Sequence, residues 1–248
     1  MWQTIIMAST TPLPTNNADG SICLFPAKVA KECIKETGAY VMEDASTGCR
    51  VDEFINRENL PLRKPNGLEF CARNSLYNKD VRDVIESTID RPYWGLAKTY
   101  NSDVLPSDQA YFFLQGPEIR AVYILLFTPR TRFLLFEGSH KEKIRGKVMS
   151  RFGLLTLPHD TLRTEGIAAV LHEMAEGGFA LIDGRTGWTL LEGQEMVIGY
   201  ASEAEIRSWG EYELGDTAPL REKVAELYRN GIKAKFKFVK PQSTMPDR

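Results

Sequence analysis

Ala121-Val122-Tyr123-Ile124-Leu125-Leu126-Phe127-Thr128-Pro129-Arg130-Thr131-Arg132-Phe133-Leu134-Leu135-Phe136-Glu137-Gly138-Ser139-His140-Lys141 is the stretch whose reading decides the fold. Two short runs of aliphatic, aromatic and β-branched residues flank Thr128 to Arg132. Runs of this length bounded by turn residues read as core strands, and the Pro-containing connection reads as a tight hairpin. Working outward, Tyr111 to Leu114, Gly153 to Leu157, Phe179 to Ile182, Trp188 to Leu191 and Met196 to Tyr200 are further apolar runs, separated by turn chemistries such as Gln115-Gly116-Pro117, Asp183-Gly184 and Glu192-Gly193.

Helical spacing lies on either side of this β series. From Pro26 to Thr37, Val29, Cys33 and Ile34 recur on one face, Pro26 suits a first helical position and Gly38 the position past the end. Ala39 to Met42 then reads as a short strand. Val51 to Asn56 and Lys79 to Thr88 read as helices, the latter with Val81, Val84, Ile85 and Thr88 on one face. After the strands, Ser202 to Trp209 opens with Ser202-Glu203-Ala204-Glu205, a capping box, and Pro219 to Asn230 is ended by Gly231. Ile167 to Met174 fits a helix or a strand equally on periodicity.

A chain of 248 residues is long enough for one generous core, and a single domain over 21–231 is expected. Residues 1–20 are turn-rich and are expected to be disordered; residues 232–248 form a basic tail, expected to be solvated or edge-paired. With 31 basic against 33 acidic residues there is no cationic excess to neutralise phosphates, which argues against a dedicated nucleic-acid partner. Cys23, Cys33, Cys49 and Cys71 have irregular spacing and no Cys-x-x-Cys, so they read as buried free thiols and not as a zinc or disulfide framework. Met1 to Met7 is apolar over only a few residues, short of a signal core or a membrane span. A cytoplasmic protein without a membrane partner is the expectation.

The order of helices, aliphatic strand, turn, strand and Gly138-Ser139-His140-Lys141 resembles the phytanoyl-CoA dioxygenase branch of the iron/2-oxoglutarate oxygenases. The resemblance implies a mainly β fold with flanking helices, a double-stranded β-helix (jelly roll, cupin-like barrel), and it favours a strand over Ile167 to Met174. Active members carry a His-x-Asp pair upstream of the aliphatic strand, a distal His after a Gly-Asp turn and strand, and an Arg on the next strand that clamps 2-oxoglutarate. Here the upstream stretch Phe113 to Glu118 has no His, Thr186 to Trp188 stand where the distal His is expected, and Gln194-Glu195 stand about where the Arg belongs. The resemblance therefore implies a degenerate member with no metal site and no cofactor. Of the three histidines, His140 belongs to the Gly-Ser-His-Lys connection, where it organises the loop; His159 lies in a turn opened by Pro158; His172 and Glu173 would face opposite ways along a strand.

A jelly-roll mouth without iron is an apolar concavity able to position a small molecule. The expected function is a cofactor-independent isomerase or cyclase of specialised metabolism acting on an apolar polyketide- or terpenoid-like molecule. Gln115, Glu118 and Arg120 are the candidate catalytic residues, and Tyr111, Phe113, Tyr123, Arg185 and Trp188 the candidate substrate contacts. The alternative is a non-catalytic partner, a homodimer or a heterodimer with a homologous oxygenase, using Trp209, Leu220, Val224, Leu227 and Tyr228 as a docking face. A third reading is an active iron enzyme with atypical ligands drawn from His140, Glu142 and His172.

Overall fold

The computed structural model describes residues 6–7, 26–56, 62–149 and 153–240. In chain order the elements are β1 (Ile6–Met7), α1 (Ala27–Glu36), β2 (Ala39–Glu43), α2 (Ala45–Asn56), α3 (Pro65–Arg73), α4 (Lys79–Thr88), β3 (Tyr93–Asn101), β4 (Gln109–Phe112), β5 (Ala121–Phe127), β6 (Thr131–Glu137), β7 (Lys147–Met149), β8 (Leu154–Pro158), β9 (Ala168–Met174), β10 (Gly178–Asp183), β11 (Gly187–Glu192), β12 (Gln194–Ala201), α5 (Glu203–Ile206), β13 (Tyr212–Gly215), α6 (Ala218–Arg229), β14 (Lys233–Ala234) and β15 (Phe236–Val239). A seven-stranded sheet has the order β1-β9-β6-β11-β4-β8-β7, and a six-stranded sheet the order β14-β3-β12-β5-β10-β2. Along β4, β5, β6 and again along β9, β10, β11, β12 the chain alternates between the two sheets. This is a double-stranded β-helix, a jelly roll with flanking helices.

That alternation corrects one expectation. Thr128 to Arg130 is not a hairpin, because β5 pairs with β10 and β12 while β6 pairs with β9 and β11. It is a corner that carries the chain from one sheet to the other. Arg130 takes a left-handed φ of 66°, and the Thr131 hydroxyl donates to the Thr128 carbonyl at 2.8 Å, holding the corner closed. The apolar runs on either side specify two core strands, but not which strands they pair with.

Each central strand is apolar on both faces because both are covered. Val122, Ile124 and Leu126 of β5 and Met196, Ile198 and Tyr200 of β12 pack against Val51, Phe54, Leu68, Val84, Ile85, Val224 and Leu227 of the helices. Each such side chain stabilises the fold by about 1.5–3 kcal/mol. The alternate residues Tyr123, Leu125 and Phe127 of β5 and Val197 and Ala201 of β12 face the barrel interior with Phe133, Leu135, Trp188 and Leu190 of the opposite sheet.

The Gly-Ser-His-Lys segment locks the barrel to α1. Ser139 Oγ accepts from the Gly187 amide at 2.9 Å, Gly138 N donates to the Thr37 carbonyl at 3.0 Å, and His140 Nε2 lies 3.1 Å from the Lys35 carbonyl oxygen. The Thr186 hydroxyl closes the junction by donating to the Gly38 carbonyl at 2.9 Å. His140 thus organises a loop, as the sequence suggested.

Several segments differ from their sequence reading. The helix expected over Val51 to Asn56 starts at Ala45, where the Asp44 carboxylate accepts from the Ser46 amide and the Thr47 hydroxyl. The helix α3 and the strand β3 were not anticipated: Gly95 and Lys98 interrupt the apolar pattern of the strand. Of the two outcomes expected for the basic tail, edge pairing is the one seen in its described part, β14 with β3 and β15 with β13, both parallel. Of the residues expected to be disordered, Ile6–Met7 pair in parallel with β9, and the rest lie outside the described residues. Cys71 is buried, Cys33 half-buried and Cys49 exposed, while Cys23 lies outside the described residues. Among the described residues no helix is long and apolar enough to cross a membrane.

Candidate functional site

The barrel interior is built around Trp188. On β11 it is the cross-strand partner of Tyr111 and of Leu135, and it is fully buried. Its ring lies 5.5 Å from that of Tyr111, 5.7 Å from Phe113 and 5.9 Å from Tyr100. Phe113 stacks on Tyr123 at 3.8 Å, and Tyr123 stacks on Trp209 at 5.8 Å. A continuous aromatic wall therefore runs from the barrel centre to its mouth. The Tyr111 hydroxyl is satisfied by the Pro106 carbonyl at 2.8 Å.

This wall opens on a cleft of about 510 Å³ lined by Leu96, Lys98, Tyr100, Phe113, Leu114, Tyr123, Glu205 and Trp209, with Arg63, Glu211 and Tyr212 at its rim. A second cleft of about 320 Å³ shares Arg63, Ala97, Lys98, Tyr100 and Tyr212 with it. Partial desolvation holds the Lys98 ammonium below its ordinary pKa although much of the side chain is exposed. Glu205 is buried, paired with Arg120 at 2.8 Å, and accepts from Trp209 Nε1 at 3.1 Å, which fixes that indole at the mouth. Burial, with the Glu205 charge adding to it, keeps the Tyr123 phenol well above its usual range.

Of the residues singled out by sequence, Tyr111, Phe113, Tyr123 and Trp188 come together in this wall. Gln115 and Glu118 do not: both are exposed on the connection between β4 and β5. Arg120 reaches the cleft only through Glu205, its other contact being the Gln115 carbonyl at 2.9 Å. Arg185 is a clasp, gripping Asp183 at 2.6 Å and the Pro117 carbonyl at 2.7 Å, and it does not line the cleft. These polar residues were placed by their nearness in sequence to the aromatic run, but the chain leaves the barrel at Leu114 and carries them to the surface.

The residue missed is Glu195. It is fully buried on β12, the cross-strand partner of Tyr100 and Phe127, and neither carboxylate oxygen has a hydrogen-bond partner among the described residues. Desolvation alone pushes its pKa far above the usual carboxylate range. The signal was present in the sequence, since period two from Val197 puts Glu195 on the inner face. Tyr100 and Lys98 were missed together with β3.

Metal ligation by a facial triad needs two imidazoles and a carboxylate on one face of the ion. Among the described residues no three His, Cys, Asp or Glu side chains converge. His140 is bound to the Lys35 carbonyl, His159 Nε2 lies 2.9 Å from the Thr189 hydroxyl, and His172 stacks on Phe133. His159 is thus half-buried and bonded. His172 and Glu173 do face opposite ways on β9, the latter paired with Arg132 at 3.1 Å. The aromatic lining of Tyr111, Phe113 and Trp188 does not fit an iron held in that manner.

The docking face expected on the C-terminal helices is also spent within the chain. Leu220, Val224 and Leu227 are buried against the six-stranded sheet, and Trp209 packs on Tyr123. Tyr228 remains exposed.

No family model matches the chain, and no curated protein does. Among solved structures it is similar to HygX from Streptomyces hygroscopicus with iron bound, at 14% identity and a TM-score of 0.50, covering 78% of this chain and 93% of that one. The apo form of HygX gives the same values. A further similarity is to the apo form of ThoJ, a non-heme monooxygenase, at 9% identity and a TM-score of 0.39, over 69% of this chain and 76% of that one. What the chain shares with HygX is the fold: a jelly-roll barrel with flanking helices.

Proposed function

We propose that this protein binds an apolar small molecule, of polyketide or terpenoid type, in the mouth cleft of an oxygenase-like barrel and isomerises or cyclises it without iron or 2-oxoglutarate. The observation that carries this reading is the aromatic wall Trp188-Phe113-Tyr123-Trp209, which fills the barrel centre with rings and still leaves a cleft of about 510 Å³ at its mouth. HygX binds iron on the same fold, whereas here the interior offers indole, phenyl and phenol groups. Pockets of this size with a few convergent polar groups are the usual small-molecule sites. Positioning a flexible substrate against fixed rings lowers the barrier to a rearrangement. Glu205 and Lys98 are the ionisable groups at hand for proton transfer, in place of Gln115 and Glu118.

Chelator-treated protein is incubated with a panel of polyketide and terpenoid compounds and the products are resolved by mass spectrometry, with ferrous iron and 2-oxoglutarate binding followed by calorimetry. The expected result is a product of unchanged mass, abolished by Leu114→Trp, which fills the cleft, and no saturable binding of iron or 2-oxoglutarate. A product that gains an oxygen atom only when ferrous iron and 2-oxoglutarate are added overturns the proposal.

A further inference from the structure

Resting on the reading that the mouth cleft holds the substrate, we propose that Trp188 and Glu195 form a hydrogen-bond-donating subsite behind Tyr100 that takes the carbonyl oxygen of a neutral ligand, Glu195 serving as a protonated carboxylic acid. Three of the buried polar atoms without a partner among the described residues are Trp188 Nε1 and both Glu195 carboxyl oxygens. These atoms belong to residues that flank Tyr100, which lies 5.9 Å ring to ring from Trp188 and is the cross-strand partner of Glu195. Tyr100 in turn lines the cleft. Tyr100 is thus common to the cleft lining and to the surroundings of both orphaned groups, and the proposed subsite requires its side chain to rotate to admit the ligand.

Buried polar groups are satisfied in the great majority of cases, and each one left alone costs about 1–3 kcal/mol. Two adjoining violations in one barrel interior point to a ligand that satisfies both. The chemistry of the groups selects that ligand. Trp188 Nε1 can only donate. Glu195 sits among Tyr100, Phe127 and other apolar side chains, with no basic group bonded to it among the described residues, and an acid so placed stays neutral and donates through its O–H. Two donors that both neighbour Tyr100 in an apolar enclosure suit an oxygen that bears partial negative charge, as a carbonyl does, and hold it more tightly as that charge grows. A neutral carboxylic acid kept in an apolar site to polarise a carbonyl is an established device for proton-shift isomerisation, which agrees with a mass-neutral reaction in the cleft.

Prodan, a naphthyl ketone whose emission moves to the red when its carbonyl accepts hydrogen bonds, is the probe. It is titrated into the wild type and into Glu195→Gln, Glu195→Leu, Trp188→Phe and Leu114→Trp, each first shown to melt cooperatively. The expected result is a red-shifted bound emission in the wild type and in Glu195→Gln, which retains a neutral donor. In Glu195→Leu and Trp188→Phe a blue shift and roughly tenfold weaker binding are expected, the loss of one buried hydrogen bond. Infrared difference spectra between the wild type and Glu195→Gln at neutral pH should show a protonated-carboxyl band that moves when prodan is added. Absence of that band, or unchanged emission and affinity in Glu195→Leu, overturns the subsite. If Leu114→Trp blocks prodan while the Glu195 and Trp188 variants bind it as the wild type does, the cleft reading stands and the subsite falls. If Leu114→Trp leaves prodan binding intact, the cleft reading falls and takes the subsite with it.

Discussion

His172 shows how a half-buried side chain contributes to the response of this fold to pH. Its ring stacks on Phe133 at 5.1 Å, its Nε2 has no partner among the described residues, and desolvation pushes its pKa down to about 4. In the unfolded chain the group titrates near 6.5, so folding is favoured by its neutral form above about pH 6.5 and that contribution is lost as the pH falls towards about 4. Burial lowers the pKa of His140 and His159 as well, adding slopes of the same sign. Glu195 has the opposite sign: its raised pKa means that the folded state keeps a proton which the unfolded chain releases above about pH 4.3, so its contribution declines as the pH rises. We expect His172→Phe, which keeps the stack, to flatten the fall in melting temperature between about pH 6.5 and 4 measured by calorimetry. An acid limb identical to that of the wild type would show that His172 is protonated as readily in the fold as outside it.

Helix α2 is fixed to the barrel by a place where two backbones nearly touch. A Cβ on Gly48 would collide with the Glu176 carbonyl and stand 2.8 Å from Gly177 Cα, and Gly177 itself holds a φ of 77°. Neither neighbour is a flexible side-chain end that could move aside. Gly48→Ala should therefore push α2 off the turn between β9 and β10 and cost at least about 1–3 kcal/mol, the usual penalty for overpacking, in spite of the better helix propensity of Ala. Chemical denaturation decides this, and a variant as stable as the wild type would mean that α2 is not docked there. The element scale is also where the sequence was most legible. Ser202 does cap α5 by accepting from the Glu205 amide, and Val81, Val84 and Ile85 do form the buried face of α4. What escaped was pairing: β5 and β6 are adjacent in sequence and apolar alike, yet the corner at Thr128 to Arg130 sends them to different sheets, and no local pattern encodes that choice.

At the scale of the whole molecule, the site was legible only where side chains follow strand periodicity. Tyr111, Tyr123 and Trp188 lie on strands, Phe113 directly follows β4, and all four converge as a jelly roll requires, while Gln115 and Glu118 lie farther along a connection whose path depends on the rest of the fold. Glu195 was visible as a carboxylate in an inward register, but its lack of a partner is a property of the assembled barrel. The last stretch of chain extends this point, because the segment read as a basic tail holds the mouth together. Ile232 is fully buried, Phe236 packs edge-on against Trp94 at 5.4 Å, and β15 is the strand that pairs with β13, which carries the cleft residue Tyr212. Lys235 Nζ donates to the carbonyls of Ile206, Arg207 and Trp209 at 3.4, 3.2 and 2.7 Å, which closes the end of α5 and anchors the segment bearing Trp209. Lys235→Met keeps most of the apolar stem but leaves those carbonyls without their charged donor, and it should cost about 1.5–3 kcal/mol. Ending the chain at Gly231 should lower the melting temperature further and weaken prodan binding, because Tyr212 and Trp209 then lose their supports. If the shortened chain melts and binds prodan like the full one, residues 232–248 are an appended tail and the cleft is built without them.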